Sequence, residues 1–263
     1  MDDLFFQHLR RGGLLVERQR YKEAEMEFHK ALSIHPDMGS VHTSLANCIL
    51  HQKNKERHHE AYQEARLGVV HDPENAFAYY TLGRILCVMD RLNAAEKILR
   101  KTVELSPDDA DYHAMLAVVL LDLRRMKEAR QELKRALAID PENQSGLYVS
   151  ALIEGSKGQV NEAAKYVKQL LRTAPDQSES HIALGRILMQ TGIGGTAEDA
   201  FREALRIDPN NQEAHLGLMM SQKSGGAKEY SLLFDIVHGL FWFRWILMPA
   251  IFVILITMTR SCR

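Results

Sequence analysis

Histidine is the residue type here with the widest chemical reach, and five of the twelve recur at one slot: His8, His42, His113, His181 and His215. A column of imidazoles suggests a metal or proton relay. Ligation requires donors at about 2 Å from one ion, whereas stacked helices lie about 10 Å apart. The column therefore reads as half-buried packing histidines. A tighter group, His51, His58 and His59 in the stretch HQKNKERHHE, fits either an adventitious metal site or a solvated loop. The run Gly192-Ile193-Gly194-Gly195 is glycine-rich, but it follows a helical pattern rather than a strand and lacks the rest of a dinucleotide fingerprint. No phosphate-loop, zinc-protease or nucleophile-elbow string occurs. The expectation is therefore no enzyme, no catalytic or metal-ligating residues, no cofactor and no small-molecule substrate. Cys48, Cys87 and Cys262 form no framework of pairs, which fits a reducing compartment.

The elements that would carry these residues are marked by proline. Pro73, Pro107, Pro141, Pro175 and Pro209 are spaced by 34 residues, and Pro36 precedes Pro73 by 37, that is, by one period and a three-residue insertion. Each closes a similar run: ALSIHP, GVVHDP, TVELSP, ALAIDP, LLRTAP, ALRIDP. A fixed period of this length is the signature of a solenoid. Proline cannot continue a helix and pushes its predecessor out of the helical region, so each one ends a helix. The acidic residues and asparagines that follow, as in Pro141-Glu142-Asn143, suit the cap of the next helix. Two apolar-periodic stretches with a short polar or glycine break lie between successive prolines, so each period reads as helix, turn, helix.

The pattern inside each period resembles the tetratricopeptide repeat. One repeat has His181, Leu184, Gly185, Leu188, Ala197, Phe201, Ala204 and Pro209; another has Tyr79, Leu82, Gly83, Leu86, Ala95, Leu99 and Pro107. A third has Leu116, Ala117, Leu120, Ala129, Leu133, Ala136 and Pro141, and the first keeps Gly12, Ala24, Phe28, Ala31 and Pro36. The resemblance implies an all-α, right-handed solenoid of about six helix pairs over residues 1–223, closed by a lone capping helix at 211–223. The insertion lengthens the turn of the second repeat. The fifth repeat departs most, with Ser150 and Glu154 at apolar slots.

The same resemblance implies that the first helix of each pair lines a groove. Its inner face would hold Thr43, Asn47, Tyr80, Arg84, Val118, Tyr148, Leu152, Ile182 and Arg186. Tyrosine and arginine among aliphatics suit an extended peptide or a helix of a partner protein. Asn47 and Arg84 are isolated and Asp111 adds negative charge one repeat on, which argues against the acidic tails that chaperone-binding relatives capture.

Charge and hydropathy separate the two ends of the chain. Residues 1–226 carry a net −3 and residues 227–263 a net +2, so there is no basic surface for nucleic acid. After SQKSGG, a linker at 224–229 leads into a C-terminal segment, 230–263. Its 19 residues from Leu240 to Met258 would span about 28 Å as a helix, close to the hydrocarbon thickness of a bilayer. Eleven of them are Leu, Ile, Phe or Val, giving on the order of −5 kcal/mol for insertion. Leu240, Phe241, Trp242, Phe243, Trp245, Ile246, Ile251, Phe252, Ile254 and Leu255 would form the membrane anchor. Arg244 would snorkel to the headgroups near its start. Pro249 is tolerable in such a helix. The N-terminus has no basic region before an apolar core, so it reads as mature sequence, with the array cytoplasmic and residues 259–263 across the membrane. Tyr230–Leu247, interrupted by Asp235, His238 and Arg244, also fits an amphipathic helix on a membrane, on the array or in a dimer. Two functions follow: a membrane-anchored interaction scaffold, or a soluble regulator or assembly chaperone whose apolar tail self-docks.

Overall fold

The computed structural model describes residues 2–52, 54–190 and 194–223. The expected linker, the whole 230–263 segment and the Gly192-Ile193 turn lie outside the described residues. Within them the chain forms α1 (Asp2–Glu17), α2 (Tyr21–Ile34), α3 (Gly39–His51), α4 (His58–His71), α5 (Ala76–Val88), α6 (Leu92–Leu105) and α7 (Ala110–Asp122). They continue with α8 (Met126–Ile139), α9 (Gln144–Ser156), α10 (Val160–Thr173), α11 (Ser178–Gln190), α12 (Gly194–Ile207) and α13 (Gln212–Lys223). There is no strand among the described residues, and no helix there is long and apolar enough to cross a membrane.

All six periodic prolines lie two residues beyond the end of a second helix, from α2 to α12. The residue two places after four of them caps the next first helix. Asn75 Oδ1 accepts from Ala78 N at 3.2 Å, Asp109 Oδ1 from Tyr112 N at 3.3 Å, Asn143 Oδ1 from Gly146 N at 2.8 Å and Asn211 Oδ1 from Ala214 N at 3.1 Å. Such caps satisfy amides that have no partner in the first helical turn. First helices end differently. Gln19, Asp90, Arg124 and Gly158 adopt left-handed φ values of 56°, 63°, 61° and 75°. The next amide then reaches back five residues, as in Arg91 N to Leu86 O at 2.9 Å and Arg125 N to Leu120 O at 2.8 Å, the bond that closes a Schellman turn. The insertion in the second repeat is used as a 3-10 turn, Lys55–Arg57, capped by Asn54.

The chain divides into two compact units between Val149 and Ser150, within α9. In the first, α1 packs on α2, α3 on α4, α5 on α6 and α7 on α8, and α2, α4 and α6 also pack on the first helices that follow them. Second helices bury one stripe, such as Leu92, Ala95, Leu99 and Thr102 on α6. First helices, with neighbours on more sides, bury more: Val41, Leu45, Ala46, Cys48 and Ile49 on α3 have no exposed surface. In the second unit α11 packs on α10, α12 and α13. There Phe201 is fully buried, and an added Cβ at Gly185 would stand 2.7 Å from its ring, so only glycine allows this approach. Gly83 leaves the same room for Leu99.

One tie recurs between consecutive pairs of the first unit. The arginine just before a second helix meets a side chain on the preceding second helix. Arg57 reaches Glu25 at 2.7 Å, Arg125 reaches Glu96 at 2.6 Å, and between them Arg91 lies 5.5 Å from the centre of the Tyr62 ring.

Candidate protein-docking face

The first unit brings part of the expected groove set together. Arg84, in the third turn of α5, donates to Asn47 Oδ1 on α3 at 3.1 Å and lies 5.6 Å from the centre of the Tyr80 ring one turn earlier on its own helix. Tyr80 in turn stands 5.0 Å from Tyr112 and 6.3 Å from Phe77, ring centre to ring centre. Burial pushes the Tyr80 phenol above its ordinary pKa, with Arg84 opposing and Asp111 and Asp109 adding to the shift. The phenol therefore stays neutral and able to donate. Among the described residues no carboxylate pairs with Arg84, so its charge rests on an amide oxygen and an aromatic face. Phe77 and Tyr112 carry no sequence signal beyond their spacing. Phe77 precedes Tyr80 by three residues, and it is 42% exposed.

Other members of the set are placed differently. Thr43 is buried: its hydroxyl donates to Gly39 O at 2.9 Å, and Gly68 of α4 closes over it. Val118 and Tyr148 are half-buried on α7 and α9. Asp111 accepts from Asn143 Nδ2 on its Oδ1 at 2.7 Å, a bond from a neutral amide that leaves its negative charge acting on Tyr80. In the second unit Leu152 is half-buried and Ile182 lies in the core with Ala197, Phe201 and Ala204. Arg186 is held by Glu213 of α13 at 2.9 Å. Thr43 and Ile182 are thus core residues of their own units, not exposed contact residues.

The histidine column has a structural role. Nε2 of His42, His113, His181 and His215 lies within 2.7–2.9 Å of the carbonyl of Pro36, Pro107, Pro175 and Pro209. A carbonyl can only accept, so each ring donates and ties a first helix to the end of the helix before it. On the other nitrogen, His8 meets Glu27, His42 meets Glu64 and His113 meets Glu132, each at 2.7 Å.

The loop histidines do not converge. His51 stacks on Tyr21 at 4.7 Å, His59 meets Gln63, and burial lowers the pKa of His58. Among the described residues Glu25, His29 and Glu60 could present three ligand atoms within 4.8 Å. Arg57 already bonds both carboxylates at 2.7 Å, so a cation would have to displace a guanidinium. Burial pushes the thiols of Cys48 and Cys87 up to about 12, which leaves them unreactive near neutrality.

Residues 7–219 match the family described as the cilia and flagella-associated protein 70 C-terminal domain. No curated protein matches the chain by sequence. The chain is similar to a chain of the APC/C hetero-tetramer Cut9-Hcn1, with a TM-score of 0.70 and 18% identity over 81% of its length, and it spans 42% of that chain. It is also similar to Pseudomonas aeruginosa pilF, at TM-score 0.64 and 19% identity, covering 84% of this chain and 99% of that one. The type IV pilus biogenesis factor PilW gives 0.66 and 17%, covering 81% and 98%. At these identities the likeness is one of fold: paired helices of the tetratricopeptide kind.

Proposed function

Because the chain belongs to the family of the cilia and flagella-associated protein 70 C-terminal domain, we propose that it is a non-enzymatic scaffold. It holds a peptide segment or helix of a partner protein against its first helices. Residues 240–258 anchor it at a membrane, with the array on the cytoplasmic side. The observation that carries the binding half is Arg84. A half-buried guanidinium is costly to strip of water unless it is paired, and among the described residues it is supported by Asn47 and by Tyr80, whose ring stands 6.3 Å from that of exposed Phe77. Rigid aromatic and arginine side chains of this sort dominate protein interfaces. The anchor half rests on the apolar run of the sequence.

The two halves have separate tests. Proteins co-purifying with the full chain are compared with those of a Tyr80, Arg84, Tyr148, Arg186 to alanine variant. The family is named for a cilia and flagella-associated protein, so ciliated cells are the place to begin. Loss of a partner from a folded variant is expected; an unchanged set overturns the face. For the anchor, membranes carrying the full chain are extracted with alkaline carbonate. Retention is expected. Release into the wash overturns the anchor and favours an apolar tail that docks on protein.

A further inference from the structure

The tie between consecutive pairs departs from its own rule at one place. At the first and third junctions the second helix supplies a carboxylate, Glu25 or Glu96, which meets Arg57 or Arg125 at 2.7 and 2.6 Å. At the second junction the same slot holds Tyr62. Arg91 lies 5.5 Å from its ring centre, and Arg66, one turn further along α4, lies 5.8 Å from it. Both arginines are exposed, and among the described residues neither pairs with a carboxylate. The acids of α4 face elsewhere: Glu60 bonds Arg57, and Glu64 bonds His42. Two guanidinium groups without a carboxylate thus share one aromatic ring. Val70, one turn beyond Arg66 on the same helix, is 67% exposed and adds apolar surface.

We propose that this edge, Tyr62, Arg66 and Arg91 with Val70, docks an acidic segment of a partner protein, whose carboxylate takes the place that Glu25 and Glu96 occupy at the neighbouring junctions. Charge complementarity argues for this occupant: the sister junctions already place a carboxylate on the equivalent arginine. A guanidinium stacked on tyrosine keeps its N–H edge free for an oxygen acceptor. The site lies on α4 and at the start of α6, so it is distinct from the Arg84 face on α5 and does not depend on it.

The test uses the full chain in a neutral detergent with 13C-labelled arginine, titrated with a short peptide alternating glutamate and alanine. Its glutamine counterpart and a thymidine oligonucleotide are the controls. The glutamate peptide is expected to move the Arg66 and Arg91 signals, and added salt to weaken the effect. Arg66→Gln and Arg91→Gln are each expected to weaken binding about fivefold or more. Tyr62→Glu supplies the missing carboxylate from within, so it is expected to abolish the response while keeping or raising the melting temperature. Arg84→Ala is expected to leave the response unchanged, which separates this site from the proposed groove. Equal response to the glutamine peptide, or undiminished binding by a folded Tyr62→Glu chain, overturns the proposal. A response to the oligonucleotide alone also overturns it, in favour of a phosphate ligand.

Discussion

Thr81 stands in the middle of α5 with its hydroxyl fully buried and, among the described residues, without a hydrogen-bond partner. Other helical threonines solve this locally: Thr43 donates to Gly39 O at 2.9 Å and Thr102 to Ile98 O at 3.2 Å, each four residues back. Leaving a buried hydroxyl unbonded costs about 1–3 kcal/mol, whereas removing it while keeping its shape is neutral or favourable. Valine has that shape and the same branching. Thr81→Val is therefore expected to stabilise the chain by about 1 kcal/mol, read as a higher urea midpoint at unchanged slope. A lower midpoint would mean that the hydroxyl does have a partner. Arg84 lies three residues further along α5 and, unlike Thr81, has partners for its polar group, Asn47 Oδ1 and the Tyr80 ring.

At the scale of the element, the turn inside four of the pairs is closed by a residue in the left-handed region, and only one of the four, Gly158, is glycine. A side chain there costs about 1–2 kcal/mol, partly offset by the extra freedom glycine has when unfolded. Arg124, exposed with φ of 61°, is expected to become glycine at a gain of about 0.5–1 kcal/mol, and Gly158→Ala is expected to lose a similar amount. Thermal unfolding of both variants checks the pair, and opposite signs are the required outcome. These turns show what the sequence made legible. The prolines dictated where second helices stop because a missing amide acts locally, and Asn75, Asp109 and Asn143 announced first-helix starts for the same reason. Gln19, Asp90 and Arg124 gave no such notice, since the bonds of the turn impose their conformation against their own preference. The helices that carry the expected set were legible, but the accessibility of its members was not. Thr43 and Asn47 occupy neighbouring turns of α3, yet the approach of Gly68 buries the first while Arg84 holds the second half-open. Those contacts come from other helices, so no local pattern encodes them.

At the scale of the whole molecule, packing in the first unit joins each pair only to its neighbours, so stability is a sum over pairs and junctions. Carboxylates concentrate at two of those junctions. The Arg57 hydrogen bond holds Glu25 below the usual carboxylate range against the cost of burial, and it does the same for Glu60. Burial opposes the shift at Glu96, but bonds from Arg100 and Arg125 prevail; the Arg125 bond also lowers Glu128. Each group has a folded pKa below its ordinary 4.5, so protonation favours the unfolded chain. Their contribution is fully present above that value and is lost as pH falls through the folded values. The melting temperature of the full chain is therefore expected to hold at neutral pH and to fall steeply between about pH 5 and pH 3. The second junction, with Tyr62 on Arg91, has no carboxylate to protonate and contributes nothing to that slope. A Glu25→Gln, Glu96→Gln chain should start lower at neutral pH and fall less on acidification, because two of the groups that bind protons on unfolding are gone. Circular dichroism melts of both chains across that range decide the matter: parallel curves would place the acid sensitivity outside these junctions.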